Sequence, residues 1–300
     1  MPDLQVHELM VHRLAAEIDG TVGVSVMGTF TPLAYAAYML AKRTHAPDAW
    51  LVGYNAVDIP SVPLSVTGVE AALYRGATSR GSFGEITNRI HLGKRGLVEC
   101  VSSAQIDGDG AINLSVIGDY THPKIRLPGG AGAPEVVQNY AKVVAYFASH
   151  DTRTLVPAVD FATGRRTPLA SNARRAQNLL PGPMLIVTPL AVLRKQDDAP
   201  FRIESCHPGV TPDAVVQQTG FALDVPSDVA ETERPTADVL RVLREEVDPA
   251  GTSALEFLRG SDRIARIRAI IDAERLAAVR RLSSGPGPSP PAASAARAPR

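Results

Sequence analysis

The side chains that are most able to bind a ligand or take part in a reaction lie in one stretch, residues 102–134. It combines amide, acidic and basic side chains and ends in a glycine-rich loop. A hairpin with a purely structural role needs fewer polar and charged side chains and no such glycine loop. We therefore predict that the stretch forms the floor of an active site. The alternative is that the glycine cluster is only a flexible connection. The residues of this loop are Gly129, Gly130, Ala131, Gly132 and Ala133.

Within this stretch, Gln105, Asp107 and Asn113 surround the turn sequence Asp-Gly-Asp-Gly. Glycine supplies the positive φ that tight turns need, so the runs LVECVSSAQ and INLSVIGDY are predicted to pair as a hairpin. Because Asn and Asp side chains often bond their own turn backbone, these residues are predicted to hold the hairpin first and to contact substrate second. Lys124 and Arg126 follow, either as ligands for a phosphate or carboxylate or as solvated surface cations.

The elements before this stretch predict an open α/β sheet. A β-branched run ends at Gly28, an alanine-rich helical segment follows, and another short apolar strand breaks at Gly53. Strand, helix and strand in so few residues form a βαβ unit with parallel strands and a right-handed crossover. Ligands in such sheets lie beyond the carboxyl ends of the strands, which places segments 28–32 and 53–58 on the ligand side.

The elements after the stretch extend the sheet. KVVAYFASH is the better strand candidate in a segment whose spacing fits helix and strand alike. GPMLIVTPLAVLRK predicts buried strands interrupted at Pro189, and the segment from Phe201 predicts strand, loop, helix and strand, with Pro212 at the first helical position. The segments HELMVHRLAAEI and TADVLRVLREEVD predict amphipathic helices at the two ends of this core.

The C-terminal part differs in kind. We predict a core domain over residues 1–252, an amphipathic helical extension over 253–282 and a disordered tail rich in Pro, Ala and Ser over 283–300. Acids alternate with the arginines of the extension, which favours a helix docked on this chain or on a partner over a membrane anchor. The apolar stripe of this helix consists of Ile264, Ile267, Ile271, Ala278 and Leu282.

Composition excludes several classes of function. The 31 lysines and arginines balance the 31 acids, so no overall field favours nucleic acid or an anionic membrane surface. With only two cysteines and no apolar signal core, the chain is expected to be cytoplasmic, without disulfides or a metal site. Cys100 is expected to be a small buried hydrophobe rather than a nucleophile, and His207 to shape a turn rather than to act in catalysis.

The order of motifs resembles one known group, the β subunit of the glutaconate CoA-transferases within the family I CoA-transferases. AQID-x-x-G-x-IN is followed by IGDY-x-HPK-x-R and the glycine-alanine loop. THAPD, HPGVTP, TGFALDV and LREEVDP complete the likeness, which runs in unbroken order from near His7 to near Pro249. The resemblance implies an open, mostly parallel α/β sheet of this family's type, flanked by helices.

The resemblance also implies a function. It implies an α-type partner subunit, in an αβ or α₂β₂ assembly, and an acyl-CoA thioester bound between the two chains. Coenzyme A would be part of the substrate, with no tightly bound cofactor and no metal. The glycine loop would donate backbone N–H groups near the thioester carbonyl. Beyond the resemblance, Gly28 at a strand end, Gln105 and Lys124 are our further candidates for binding. A glutamate of the β subunit would attack the thioester and carry CoA.

The sequence departs from the family at that glutamate. In the family it lies within a pattern like VESGLMD, and the corresponding position here is Gly53, followed by Tyr54 and Asn55. A ping-pong transferase needs a carboxylate nucleophile, and glycine has no side chain to offer. Relatives without the glutamate are similar in fold but act as lyases or hydrolases on CoA thioesters. Residues that could substitute for it are Glu70, Glu85 and Glu99, or a group of the partner.

We therefore expect one subunit of a heteromeric enzyme that decarboxylates, cleaves or hydrolyses an acyl-CoA. Tyr54 and Asn55, beside the vacated position, are candidates to hydrogen-bond a substrate carbonyl or to order a water, although both are equally compatible with ordinary strand-end roles. Two alternatives remain open at this point. One is a true CoA-transferase with a relocated carboxylate, and the other is a non-catalytic subunit that completes the partner's active site.

Overall fold

The structure is a computed structural model. It describes residues 4–20, 23–25, 31–53, 55–66, 76–82, 84–86, 88 and 97–283. The predicted C-terminal tail beyond residue 283 lies outside this range, as do Gly28, Tyr54 and Glu70 of the predicted site.

The secondary structure is mixed α/β. The main helices of the described part are α1 (Val6–Ala15), α2 (Pro32–Arg43), α3 (Ala133–Asn139), α4 (Ser171–Ala176), α5 (Pro212–Gln217), α6 (Ala237–Arg241) and α7 (Gly260–Ser283). A π-helical turn (Val242–Val247) continues α6, and a 3₁₀ turn (Ser253–Glu256) precedes α7. The strands are β1 (Gly23–Ser25), β2 (Leu51–Val52), β3 (Ala56–Val57), β4 (Ser79–Arg80), β5 (Leu97–Val101), β6 (Gln105–Ile106), β7 (Ile112–Asn113), β8 (Val116–Gly118), β9 (Pro123–Arg126), β10 (Lys142–Tyr146), β11 (Met184–Val187), β12 (Ala191–Lys195), β13 (Phe201–Cys206), β14 (Leu223–Asp224) and β15 (Ala230–Glu231).

A central sheet joins most of these strands in the order β14-β13-β12-β11-β10-β5-β1-β2-β3-β4, with β15 also paired to β13. Its middle is parallel: β2 pairs with β1, β1 with β5, β5 with β10, and β10 with β11. Continuous apolar runs such as MLIV in β11 are buried throughout, as expected of a sheet covered on both faces. The predicted open, mostly parallel sheet is confirmed.

The strand order contains a topological switch point between β1 and β5. From β1 the chain crosses through α2 to β2 on one side, and from β5 it crosses through α3 to β10 on the other. This is the 2-1-3-4-5 order of doubly wound sheets, in which ligands lie beyond the carboxyl ends of the two strands at the switch. This strand order therefore predicts a ligand crevice beyond the ends of β1 and β5.

Each face of the sheet has its own hydrophobic core. On one face α1 and α2 pack through Leu14 and Leu40 onto alternating strand residues such as Cys100 and Tyr146. On the other face α3 packs through Val136 and Val137. Because successive strand side chains point to opposite faces, β5 directs Cys100 toward α2 and Glu99 toward the opposite face.

The predicted hairpin exists in a shorter form. Gln105 pairs with Asn113 and Ile106 with Ile112 in the small antiparallel sheet β6-β7. The apolar run before it, β5, instead joins the central sheet, and the run after it splits so that β8 pairs with β9. Parallel neighbours on both sides bury β5, which is why it does not extend the hairpin.

The C-terminal helix α7 packs back on this chain through part of the predicted stripe, since Ile267 and Ile271 are half-buried, and through Ile270, which the prediction did not include. Ile270 is only 2% exposed, whereas Ile264 of the predicted stripe is 53% exposed. Polar contacts fix this orientation: the Glu274 carboxylate accepts a hydrogen bond from the Val66 amide at 2.7 Å, and Arg266 Nη2 donates to the Ala250 carbonyl at 2.6 Å. Among the described helices, none is long and apolar enough to cross a membrane.

Candidate active site

The chemically rich stretch begins at the switch point. Strand β5 ends at Val101, so residue 102 is the first residue of the loop that borders the crevice. Strand β1 ends at Ser25 beside it, and α2 begins at Pro32. The structure thus places the end of β1 and the loop 102–104 at the carboxyl edge where a ligand is expected.

Gln105 and Asn113 form a closed hydrogen-bond network. The Gln105 Oε1 atom accepts from Asn113 Nδ2 at 2.7 Å and from the Asp160 amide at 3.1 Å, and its Nε2 donates to Asp160 Oδ2 at 3.3 Å. Asn113 also donates to the Val116 carbonyl at 2.6 Å and accepts from the Ser115 amide at 3.0 Å. Both side-chain amides are used internally, so they orient the hairpin beneath the crevice.

Asp107 holds the turn of the same hairpin. Its Oδ1 accepts from the amides of Asp109 at 3.1 Å and Ala111 at 3.0 Å, and its carbonyl accepts from the Gly110 amide at 2.9 Å. Gly110 has φ +83°, a conformation that glycine adopts without strain. These contacts show that Asp107 stabilises the turn, as predicted.

The glycine loop immediately precedes α3, on the face of the sheet opposite α2. Its conformation is unusual: φ is +100° at Gly129 and +42° at Ala131. The carbonyls of Gly130 and Gly132 accept hydrogen bonds from the start of α3. The amides of Gly130, Ala131 and Gly132 donate no hydrogen bond to any residue that the structure describes, so these three N–H groups are available to a ligand.

The β8-β9 hairpin carries the two candidate cations on an exposed surface. Lys124 is exposed. Arg126 donates from Nη2 to the Tyr120 carbonyl at 2.9 Å and lies over the Tyr120 ring at 4.9 Å. Tyr120 stacks in turn on Phe161 with ring centroids 4.9 Å apart. Arg126 is therefore held in place, and Lys124 extends from the same hairpin toward solvent.

Gly53, which the sequence analysis predicts to occupy the glutamate position, lies in a tight turn between β2 and β3. The Gly53 amide donates to the Ala56 carbonyl at 2.9 Å, so the chain reverses immediately after β2. Gly53 is buried and Asn55 is exposed. The Asn55 carbonyl accepts from the Gly81 amide at 3.1 Å, which ties this turn to the segment after β4.

The nearest acidic side chains to this turn have different environments. Asp58, with φ +55°, has its pKa lowered by hydrogen bonds from Lys42 Nζ at 2.9 Å and Thr78 Oγ1 at 2.8 Å. Glu85 is exposed, and a Cβ atom built on Gly81 would lie 3.3 Å from its Oε2. Because Gly81 also contacts Asn55, the Glu85 carboxylate lies beside the β2-β3 turn.

Glu99 is buried within the sheet. It lies opposite Val143 in the middle of β5 and is 6% exposed. Burial raises the pKa of its carboxyl to about 7. Of the described groups, none hydrogen-bonds its Oε2. Glu99 is thus held inside the sheet, two residues before the end of β5.

Glu256 is a carboxyl group that reasoning from sequence missed. It ends the 3₁₀ turn before α7, and its Oε1 accepts from the Leu33 amide at 2.8 Å and from the Tyr146 hydroxyl at 3.3 Å. Burial raises its pKa to about 7. No local sequence pattern connects residue 256 with residue 33, so only the fold reveals this contact.

The other candidate nucleophile and base are inert in this structure. Cys100 is 2% exposed, and burial raises the pKa of its thiol to about 12, so the thiolate is disfavoured. His207 is 3% exposed, its Nδ1 lies 2.9 Å from Thr232 Oγ1, and burial lowers its pKa to about 4. No group of three or more His, Cys, Asp or Glu in the described ranges could hold a metal ion.

Comparison with known proteins identifies the family to which this fold belongs. The sequence profile of the Coenzyme A transferase family matches residues 21–218. The B subunit of a 3-oxoadipate CoA-transferase from Pseudomonas knackmussii is 36% identical, over 68% of this chain and 80% of that protein. The B subunit of the glutaconate CoA-transferase from Acidaminococcus fermentans is 32% identical, over 81% of this chain and 92% of that protein.

The fold is also similar to that of an enzyme with a different type of reaction. The crystal structure of the decarboxylase AibA/AibB superposes with a TM-score of 0.73 at 25% identity, covering 84% of this chain and 98% of the matched chain. Profile, relatives and fold agree over most of the chain. We conclude that this chain belongs to the coenzyme A transferase family and is similar to its B subunits.

Proposed function

We propose that this chain is the β-type subunit of a heteromeric enzyme that acts on an acyl-CoA by decarboxylation, C–C bond cleavage or thioester hydrolysis. The observation that carries the proposal is the β2-β3 turn, which closes at Gly53 without a carboxylate at the family's nucleophile position. A covalent glutamyl thioester cannot form there. We assign the binding half of the site to the glycine loop, whose free amides support that assignment.

The glycine loop supports chemistry through an enolate. Three consecutive amides, those of Gly130, Ala131 and Gly132, are free of hydrogen bonds to the described residues. Pre-organised backbone donors of this kind stabilise negative charge that develops on a carbonyl oxygen in a transition state. Decarboxylation and C–C cleavage next to a thioester both place charge on that oxygen, so the loop serves them without a covalent intermediate.

The partner and the substrate class follow from the relatives. The similar CoA-transferases are B subunits by name, and the similar decarboxylase has two components, AibA and AibB. We assign this chain an α-type partner, in an αβ or α₂β₂ assembly, with coenzyme A as part of the substrate and no tightly bound cofactor. Its two cysteines are free and buried, which fits a cytoplasmic location.

The test is a comparison of two reactions in one preparation. The chain is co-purified with its α-type partner and incubated with enoyl-CoA and 3-oxoacyl-CoA esters, while CO₂, cleavage products and free CoA are followed. We expect turnover without an acceptor acid. Acetate-dependent CoA exchange, with an enzyme thioester that borohydride reduces, would show that the pair is a transferase and would refute the proposal.

A second candidate function is CoA transfer with Glu85 as a relocated nucleophile. The position of its carboxylate beside Gly81, and hence beside the Asn55 carbonyl, favours this alternative. It predicts that Glu85→Gln abolishes both CoA exchange and the borohydride-reducible thioester. Under the first proposal Glu85→Gln leaves turnover within a few-fold of the wild type, so the same variant separates the two functions.

A further inference from the structure

The C-terminal segment brings a carboxyl group to the switch point of the sheet. Helix α2 begins after β1 without a capping side chain of its own, since Thr31 makes no side-chain hydrogen bond to the first turn. Glu256 fills that role from the far end of the sequence by accepting the Leu33 amide at 2.8 Å. A carboxylate at a helix N-terminus is favoured by the helix dipole.

The second contact of Glu256 fixes its position along the strand direction, at the carboxyl ends of the strands. Tyr146 is the last residue of β10, and its hydroxyl donates to Glu256 Oε1 at 3.3 Å. Ala145 pairs with Val101, the last residue of β5, so Tyr146 is level with the first residue beyond β5. Glu256 therefore connects the start of α2, after β1, with the end of β10, next to β5.

This position borders the crevice in which the fold predicts a ligand. The switch point lies between β1 and β5, and Glu256 lies at its carboxyl edge on the α2 face. The glycine loop lies at the start of α3, the crossover helix on the opposite face. Glu256 is half-buried, and its Oε1 atom accepts the hydrogen bonds of both Leu33 and Tyr146.

The surroundings of Glu256 suit proton transfer near neutral pH. Burial raises its pKa to about 7, against the opposing effects of the Leu33 amide, the Tyr146 hydroxyl and the cations Arg263 and Arg259. The side chain of His7, on α1, contacts the neighbouring Phe257 with ring centroids 6.1 Å apart. The first turn of α2 contains no acid.

We infer that Glu256 is the acid–base carboxyl of this subunit, acting on an acyl-CoA bound at the crevice between β1 and β5; the inference rests on the proposed function. In decarboxylation the C–C bond to the substrate carboxylate breaks, CO₂ leaves, and the electron pair of that bond remains as an enolate of the thioester. The protonated carboxyl gives its proton to the enolate carbon, so that a C–H bond forms as the O–H bond breaks. The resulting carboxylate regains a proton from water.

The experiment uses the complex with the α-type partner and the CoA ester that the wild type turns over. Glu256→Gln keeps an oxygen that can accept from Leu33 and Tyr146 but cannot transfer a proton. We expect kcat to fall by about 100-fold with CoA-ester affinity retained, and the pH-rate limb near 7 to disappear. Glu256→Asp should restore part of kcat together with the limb.

The matched control makes the same chemical change at the other end of α2. Glu246 pairs with Arg43, the last residue of that helix, at 2.9 Å on an exposed surface. Glu246→Gln should leave kcat and the pH profile unchanged. If Glu256→Gln also keeps both, Glu256 is a helix cap only and the inference is overturned. A wild-type pair that neither binds nor converts any CoA ester overturns the proposed function as well.

A second variant tests the inference if Glu256→Gln fails to assemble with its partner. Tyr146→Phe removes a donor that stabilises the charged carboxylate. The pH-rate limb should therefore move to higher pH while the fold and the partner contact are kept. A limb that stays in place would show that the titrating group is not Glu256.

Discussion

Replacing Glu17 with glutamine should destabilise the folded chain by about 3 kcal/mol at neutral pH. Glu17 follows α1, and its side chain is only 6% exposed. Three cations converge on its carboxylate: Arg13 Nη2 at 2.6 Å, Lys142 Nζ at 2.8 Å and Arg194 Nη2 at 2.9 Å. These contacts join α1 to β10 and β12.

The magnitude follows from the pKa of this group. Burial alone would raise it, but the three cations outweigh burial and lower the pKa from 4.5 to about 2. At about 1.4 kcal/mol for each pH unit, that difference corresponds to about 3 kcal/mol. Because the folded-state pKa is depressed, this stabilisation is fully present above pH 4.5 and is lost as the pH falls from 4.5 toward about 2.

The assay is urea unfolding of the wild type and of Glu17→Gln over a pH series, with equal m-values as the check for a two-state comparison. The two proteins should differ by about 3 kcal/mol at neutral pH and should converge as Glu17 of the wild type is protonated. A matched control is Asp224→Asn, which breaks an exposed pair with Arg202 at 2.8 Å and should cost less than about 1 kcal/mol. The reasoning is refuted by a loss below about 1 kcal/mol for Glu17→Gln, or by a gap that does not narrow in acid.

Three further predictions, which use four substitutions, test other parts of the structure. Gly182→Ala places a Cβ atom 1.7 Å from the Ala141 carbonyl oxygen and should destabilise the chain by about 3 kcal/mol, measured as a lower urea midpoint. Tyr38→Phe removes the acceptor of the buried Cys100 amide, at 2.7 Å, and should cost about 2 kcal/mol in the same measurement; an unchanged midpoint contradicts that hydrogen bond. Gly130→Ala places a Cβ atom 2.6 Å from Thr163 Cγ2 and should raise KM for the CoA ester, whereas Gly132→Ala, with no atom within 4 Å, should leave it unchanged. Equal KM values for these two variants would remove the glycine loop from the binding site.

The sheet can be predicted from the sequence because its signals are local. The Asp-Gly-Asp-Gly turn, the apolar run of β11 and Pro212 at the start of α5 each depend on neighbouring residues, and the structure has all three. The partner of β5 is not local. A buried apolar strand looks the same whether it continues a hairpin or lies between parallel strands, so the sequence predicts a longer hairpin than the one that forms.

In the candidate site, too, some features can be predicted from local sequence and others cannot. The glycine loop and the missing carboxylate at Gly53 are visible in the sequence because motif order locates them. The contacts of Gln105 with Asp160 and of Glu256 with Leu33 span 55 and 223 positions. No periodicity or spacing rule connects residues so far apart, and burial, which raises the pKa of Glu256 to about 7, exists only after folding.

The distance in sequence between Leu33 and Glu256 also sets when the crevice is completed during synthesis. The strands of the switch point have left the ribosome long before residue 256 is made, because synthesis proceeds from the N-terminus. Until the 3₁₀ turn docks, α2 lacks its cap and the crevice lacks one wall. A nascent or prematurely terminated chain without residue 256 would thus present the start of α2 without this carboxylate.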